Sequence, residues 1–92
     1  MYKRQEYEVL LSDGTELTFD SSGVWLSVDC AFSTLPAGII PAAIADDMAV
    51  RYPDARAYKI EKEPGGYEIS IDRSLDLYYS ADGKFIREQR DF

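Results

Sequence analysis

Residues 7–23 and 67–83 align without a gap at an offset of 60. Tyr7-Glu8 stands against Tyr67-Glu68, Leu17 against Leu77 and Gly23 against Gly83. Val9/Ile69, Leu11/Ile71, Glu16/Asp76, Phe19/Tyr79 and Trp25/Phe85 are conservative pairs at the same offset. A fixed-offset echo marks a duplicated supersecondary unit, here residues 7–30 and 67–90. In the first copy Tyr7, Val9 and Leu11 are apolar at period two, beside the polar Glu8 and Ser12, the pattern of a half-buried strand. Asp13-Gly14 suits a tight hairpin turn, and Thr15, Leu17 and Phe19 form the return strand. Asp20-Ser21-Ser22-Gly23 then turns into a third strand over 24–30. The second copy reads as strands 66–72, 75–80 and 84–90, with turns at Asp72-Arg73-Ser74 and Ser80-Ala81-Asp82-Gly83.

Between the copies the period changes. Ser33 or Thr34 is the expected N-cap before a short turn at 36–40. Pro41 suits a first helical turn, and a helix is predicted from about 41 to 52. Ile40, Ile44, Met48 and Tyr52 fall four apart in one apolar stripe, with Asp46, Asp47 and Arg51 mostly on the wet side. Pro53 ends the helix. Residues 55–63 return to strand alternation, with Tyr58 and Ile60 expected inward, and Pro64-Gly65-Gly66 turns into the second copy. The order is βββ-α-ββββ within a single domain, 1–92. The expected fold is α+β: an antiparallel sheet of about seven strands with one helix packed on one face, leaving the other face solvated or bound to a partner.

Composition excludes several functions. Seventeen acids against ten bases give a net charge of −7, which argues against a nucleic-acid backbone or an anionic membrane as partner. The chain has no His, the commonest general base and zinc ligand. Cys30 is the only cysteine, so no intramolecular disulfide can form, and it reads as a buried structural thiol. No apolar run approaches a membrane span, and the opening Met1-Tyr2-Lys3-Arg4-Gln5-Glu6 has no hydrophobic h-region, so the expectation is either a cytoplasmic protein or a mature form whose export signal has been removed.

The run from Tyr7 to Asp20, with Leu35-Pro36-Ala37-Gly38-Ile39-Ile40-Pro41, Tyr52-Pro53-Asp54-Ala55, Gly66-Tyr67-Glu68-Ile69 and Asp82-Gly83-Lys84-Phe85, resembles the PepSY-like domain family, which is compared with the β-lactamase-inhibitory protein. The resemblance spans about residues 7–86. It implies that inhibitor's fold, and an exported protein of Bacteroidetes that is periplasmic after removal of a signal peptide. The inhibitor grips its target enzyme with a concave sheet face, although fold does not fix function.

No catalytic, metal or cofactor constellation emerges. Glu8/Glu16 and Glu68/Asp76 look like cross-strand carboxylate pairs, but no nucleophile or oxyanion donor points at them. The Asp-Gly turns lack the oxygen density of a calcium loop; hairpin chemistry accounts for them. What remains is the sheet face away from the helix. Leu10, Thr18, Trp25 and Tyr78 are the candidate binding residues there, with Leu26 in place of Trp25 if the turn at 20–23 shifts the register, and the same ambiguity between Phe85 and Ile86. The expected function is a non-enzymatic protein-binding module that uses this face. The alternatives are a self-associating protein that pairs through a sheet edge or the open face, and an inhibitor of a hydrolase. No small-molecule ligand is expected.

Overall fold

A computed structural model describes residues 6–30, 33–36, 38–72 and 75–90. The chain runs β1 (Glu6–Leu10), β2 (Glu16–Asp20), β3 (Trp25–Asp29), α1 (Ala42–Arg51), β4 (Ala57–Glu63), β5 (Gly66–Ile71), β6 (Leu75–Ser80) and β7 (Phe85–Arg90). The strands form one antiparallel sheet in sequential order, β1 to β7. The βββ-α-ββββ order and the single helix on one face are as the sequence predicts. Arg73 and Ser74 of the expected turn at 72–74 lie outside the described residues.

The helix begins one residue after the expected start at 41. Pro41 occupies the N-cap (φ −53°, ψ 142°) without a side-chain cap bond, and its carbonyl accepts from the Ala45 amide at 2.9 Å. The fixed φ of proline pre-forms this entry. At the other end the Tyr52 amide closes the last turn on the Met48 carbonyl at 2.8 Å.

The core lies under α1. Ile44 and Met48 from the predicted stripe are buried against a cluster containing Val28, Ile60, Ile69, Leu77 and Tyr79. One register line crosses the sheet through Leu17, Val28, Ile60, Ile69 and Leu77. Polar contacts lock the helix onto β6 and β7. Tyr79 Oη donates to Asp47 Oδ2 at 2.7 Å, and the Tyr52 hydroxyl donates to the Glu88 carboxylate. The Arg51 guanidinium lies 4.0 Å from the Phe85 ring centroid. Asp47 is therefore engaged with the sheet and not turned to water as its stripe position suggested. Burial, and then the bond to Glu88, push the Tyr52 hydroxyl up to about 12. Tyr79 is raised by the same causes, with Asp47 as its partner. Both phenols stay neutral donors at neutral pH.

Gly83 fits this docking twice over. Its φ is +90°, and a Cβ there would stand 2.6 Å from Ala43 Cβ on α1.

Three irregularities decide which residues face which side. Trp25 pairs with Phe19, but Ser27 pairs with Thr18, so β3 carries one extra residue, Leu26. Phe85 pairs with Tyr79, but Arg87 pairs with Tyr78, so β7 carries the extra Ile86. On β4, Tyr58 and Lys59 together stand opposite Ser70. The inward residues of β4 are thus the buried Ala57 and Ile60, which corrects the expected Tyr58/Ile60 pair. Each bulge resets the alternation by one. Ile44→Ala is expected to lower unfolding free energy by about 2–5 kcal/mol, while Val50→Ala, on the 82% exposed side of α1, changes it by less than about 0.5 kcal/mol. Urea denaturation of the two variants measures both.

Candidate functional site

The register fixes the face away from α1. One row across it reads Glu8, Thr18, Ser27, Glu61, Glu68, Tyr78, Arg87. The next reads Leu10, Glu16, Asp29, Lys59, Ser70, Asp76, Gln89. The surface is mainly acidic.

Leu10, Thr18 and Tyr78 lie on this face, but the sheet does not bring them together. Thr18 on β2 and Tyr78 on β6 are four strands apart, about 19 Å at ~4.8 Å per strand. Leu10 stands on the edge strand and is 70% exposed. Trp25 is on the other side. It pairs with Phe19 and packs against the core, and the Lys62 ammonium lies 4.1 Å from its ring centroid. This corrects the expected placement of Trp25 among the binding residues: the bulge turns Trp25 in and Leu26 out. Phe85 likewise goes in, edge-on to Tyr79 with centroids 5.5 Å apart, while Ile86 is exposed. Each outward bulge residue borders a hollow. One, of about 220 Å³, is lined by Glu6, Glu8, Thr18, Leu26, Ser27 and Glu61. The other, of about 250 Å³, includes Glu63, Gly66, Tyr78, Ile86 and Arg87. The Arg87 guanidinium lies 4.0 Å from the Tyr78 ring centroid.

The carboxylate pairs differ from those expected. Glu8 stands opposite Thr18 and Glu68 opposite Tyr78, so Glu8/Glu16 and Glu68/Asp76 are diagonal neighbours. The tight group is Glu61, Glu63 and Glu68, whose carboxylate oxygens lie within 4.8 Å of one another. Burial raises Glu68 most, a hydrogen bond with Glu63 raises it next, and the charges of Asp76, Glu63 and Glu61 add to this, bringing it to about 7. Counting back from the β4–β5 turn pairs Glu63 with Gly66, Lys62 with Tyr67 and Glu61 with Glu68. The signal was therefore present in the sequence, but only once the turn residues were set. Beside this group the buried Ser70 donates its hydroxyl to Asp76 Oδ1 at 2.8 Å, which satisfies a polar group that burial would otherwise penalise. On the helix side, a cleft of about 410 Å³ lies between the end of α1 and β5–β6, lined by Tyr52, Pro53, Asp54, Ala55, Ile71, Asp72, Leu75 and Arg90.

A seven-strand antiparallel meander with one helix on one face and an acidic opposite face defines a small two-layer α+β domain. Over residues 5–87 the chain matches the family described as "Putative beta-lactamase-inhibitor-like, PepSY-like", and it belongs to that family. Three solved structures share its fold. A "putative periplasmic protein of unknown function" from Bacteroides vulgatus is 35% identical at a TM-score of 0.90, covering 94% of this chain and 68% of that one. A second "putative periplasmic protein" of that organism, from the DUF2874 family, is 29% identical at a TM-score of 0.88, covering 97% and 70%. A "putative calcium-regulated periplasmic protein" from Bacteroides thetaiotaomicron is 32% identical at a TM-score of 0.90, covering 97% and 70%. No curated protein matches the chain. No described helix is long and apolar enough to cross a membrane.

The raised Glu68 has a definite sign. The folded state holds its proton more tightly than the unfolded chain, so its contribution to stability is full below about 4.5 and is lost as pH rises through about 7. Urea midpoints are expected to fall between pH 5 and pH 8, and Glu68→Gln should flatten that slope. An unchanged slope in the variant would show that Glu68 is not its source.

Proposed function

We propose that this protein is an exported, non-catalytic domain that binds a basic surface of another protein through the open face of its sheet. One observation carries the reading: on a face that α1 leaves uncovered, the carboxylate oxygens of Glu61, Glu63 and Glu68 lie within 4.8 Å of one another. Bringing Lys or Arg side chains to that face relieves the repulsion, and complementary charge favours both encounter and register. Tyr78, with Arg87 against its ring, and the exposed Leu10 add apolar area at two points of the same surface. The periplasmic descriptions of the three neighbours support the same compartment for this chain. The inhibitor-like family description makes hydrolases the first partners to assay.

The protein is immobilised, and partners are recovered from a periplasmic extract at low and at high salt. Capture is expected to weaken with salt, to weaken further when Leu10 and Tyr78 are changed to Ser, and to be lost in Glu61→Lys/Asp76→Lys. Capture that is indifferent to all three changes would count against this face.

A second reading has its own support. Three clustered carboxylates and a neighbour described as calcium-regulated favour a divalent cation at Glu61, Glu63 and Glu68. Calcium takes six to eight oxygens. Three carboxylates offer at most six, so water would complete the shell, and a bound cation would lower Glu68. Calorimetric titration with Ca²⁺ should give saturable heat that Glu63→Gln abolishes; no heat from the unaltered protein removes this reading.

A further inference from the structure

The two hollows on the open face map onto one another through the repeat. At the offset of 60, Glu6, Thr18, Leu26 and Ser27 of the first stand against Gly66, Tyr78, Ile86 and Arg87 of the second. The strand pairing repeats as well. Thr18 stands opposite Ser27 and Phe19 opposite Trp25, just as Tyr78 stands opposite Arg87 and Tyr79 opposite Phe85. The turn before each bulge is also shared: the Gly23 amide donates to the Asp20 carbonyl at 3.0 Å, and the Gly83 amide to the Ser80 carbonyl at 2.9 Å. One hairpin with one bulge therefore makes one hollow, twice over. The bulged residues lie on β3 and β7, four strands apart, which is about 19 Å at ~4.8 Å per strand.

The linings have diverged. The first hollow is acidic, with Glu6, Glu8 and Glu61 around the aliphatic Leu26. Lys62 borders it too, but its ammonium lies 4.1 Å from the Trp25 ring centroid, on the helix side. Charge complementarity selects a Lys or Arg for this hollow, since the charged end needs acceptors and the stem needs apolar contact. In the second hollow Gly66 takes the place of Glu6 and Tyr78 that of Thr18, and the bulged Ile86 is 58% exposed. A Cβ on Gly66 would collide with the Tyr79 carbonyl oxygen, so that corner holds no side chain. The Arg87 guanidinium stacks on Tyr78, 4.0 Å from its ring centroid. An aliphatic side chain for packing and a cation for a ring face suit an aromatic side chain. Glu63 at the rim disfavours a carboxylate.

We infer that the open face holds its partner at two anchors, a basic side chain in the hollow at Leu26 and an aromatic side chain in the hollow at Ile86, about 19 Å apart. This rests on the proposal that the face binds a basic protein surface, and it adds the second anchor and the spacing. Two anchors reinforce each other only when the partner presents them at the separation of the hollows.

Oligoproline peptides serve as rulers. Each carries one Arg and one Phe at opposite ends, separated by two, five or eight prolines, with blocked termini and in both chain directions. At about 3.1 Å per residue these spacers set the ends about 9, 19 and 28 Å apart on one side of a helix that repeats every three residues. The peptides are titrated into the intact protein and followed by amide chemical shifts. The five-proline peptide is expected to bind at least about tenfold tighter than the other two, shifting the amides of Leu26–Ser27 and Ile86–Arg87 together. Glu8→Lys and Ile86→Ser should each reduce it to the level of the other spacers. Val50→Ser on the exposed side of α1 should leave it unchanged, and circular dichroism checks that all three variants fold. Equal binding at every spacing that still weakens with salt would overturn the two-anchor inference and leave the basic-partner proposal standing. So would tight five-proline binding that survives either hollow variant. No shift on the open face with any peptide would remove both.

Discussion

A ten-residue helix is about 15 Å long, and seven strands side by side span about 29 Å. That mismatch governs the rest of the molecule. The helix docks with Ile44 and Met48 in one buried cluster with Ile60, Ile69, Leu77 and Tyr79. The Tyr79–Asp47 bond makes the docking directional. Everything under the helix is a dry core. The helix-side apolar residues of β1 lie beyond its reach and remain partly wet, although their alternation is that of core residues.

The opposite face is governed by pairing. Because strands alternate with period two, fixing one register line on the core side fixes the outward rows as well. Those rows place Glu61 beside Glu68 and bring Glu63 within reach of both. A carboxylate held among other carboxylates and partly removed from water keeps its proton to unusually high pH. The same crowding that shifts Glu68 makes the face attractive to cations and to basic side chains. Electrostatic function here is thus a by-product of strand register, as the core is of helix length.

The matched halves also show how one sequence pattern serves two outcomes. Ile69 and Val9 occupy equivalent places in equivalent strands, yet one is sealed and the other is not. The difference lies in what covers each strand: among the described residues, α1 and β4 lie against the second copy.

Taken by itself, the sequence determined the element order, the helix stripe, the family and the outward placement of Leu10, Thr18 and Tyr78. These follow from local periodicity and turn chemistry, which act over a few residues. Only the tertiary structure decided that Trp25 goes in and Leu26 out, that Ala57 and not Tyr58 faces the core, and that Asp47 reaches Tyr79. A bulge shifts the alternation by one residue without changing composition, so it becomes visible only when two strands are laid side by side. The Glu61–Glu63–Glu68 group and the uncovered apolar half had to wait for the fold for the same reason. Both are distances between strands, and a one-dimensional pattern carries no distance.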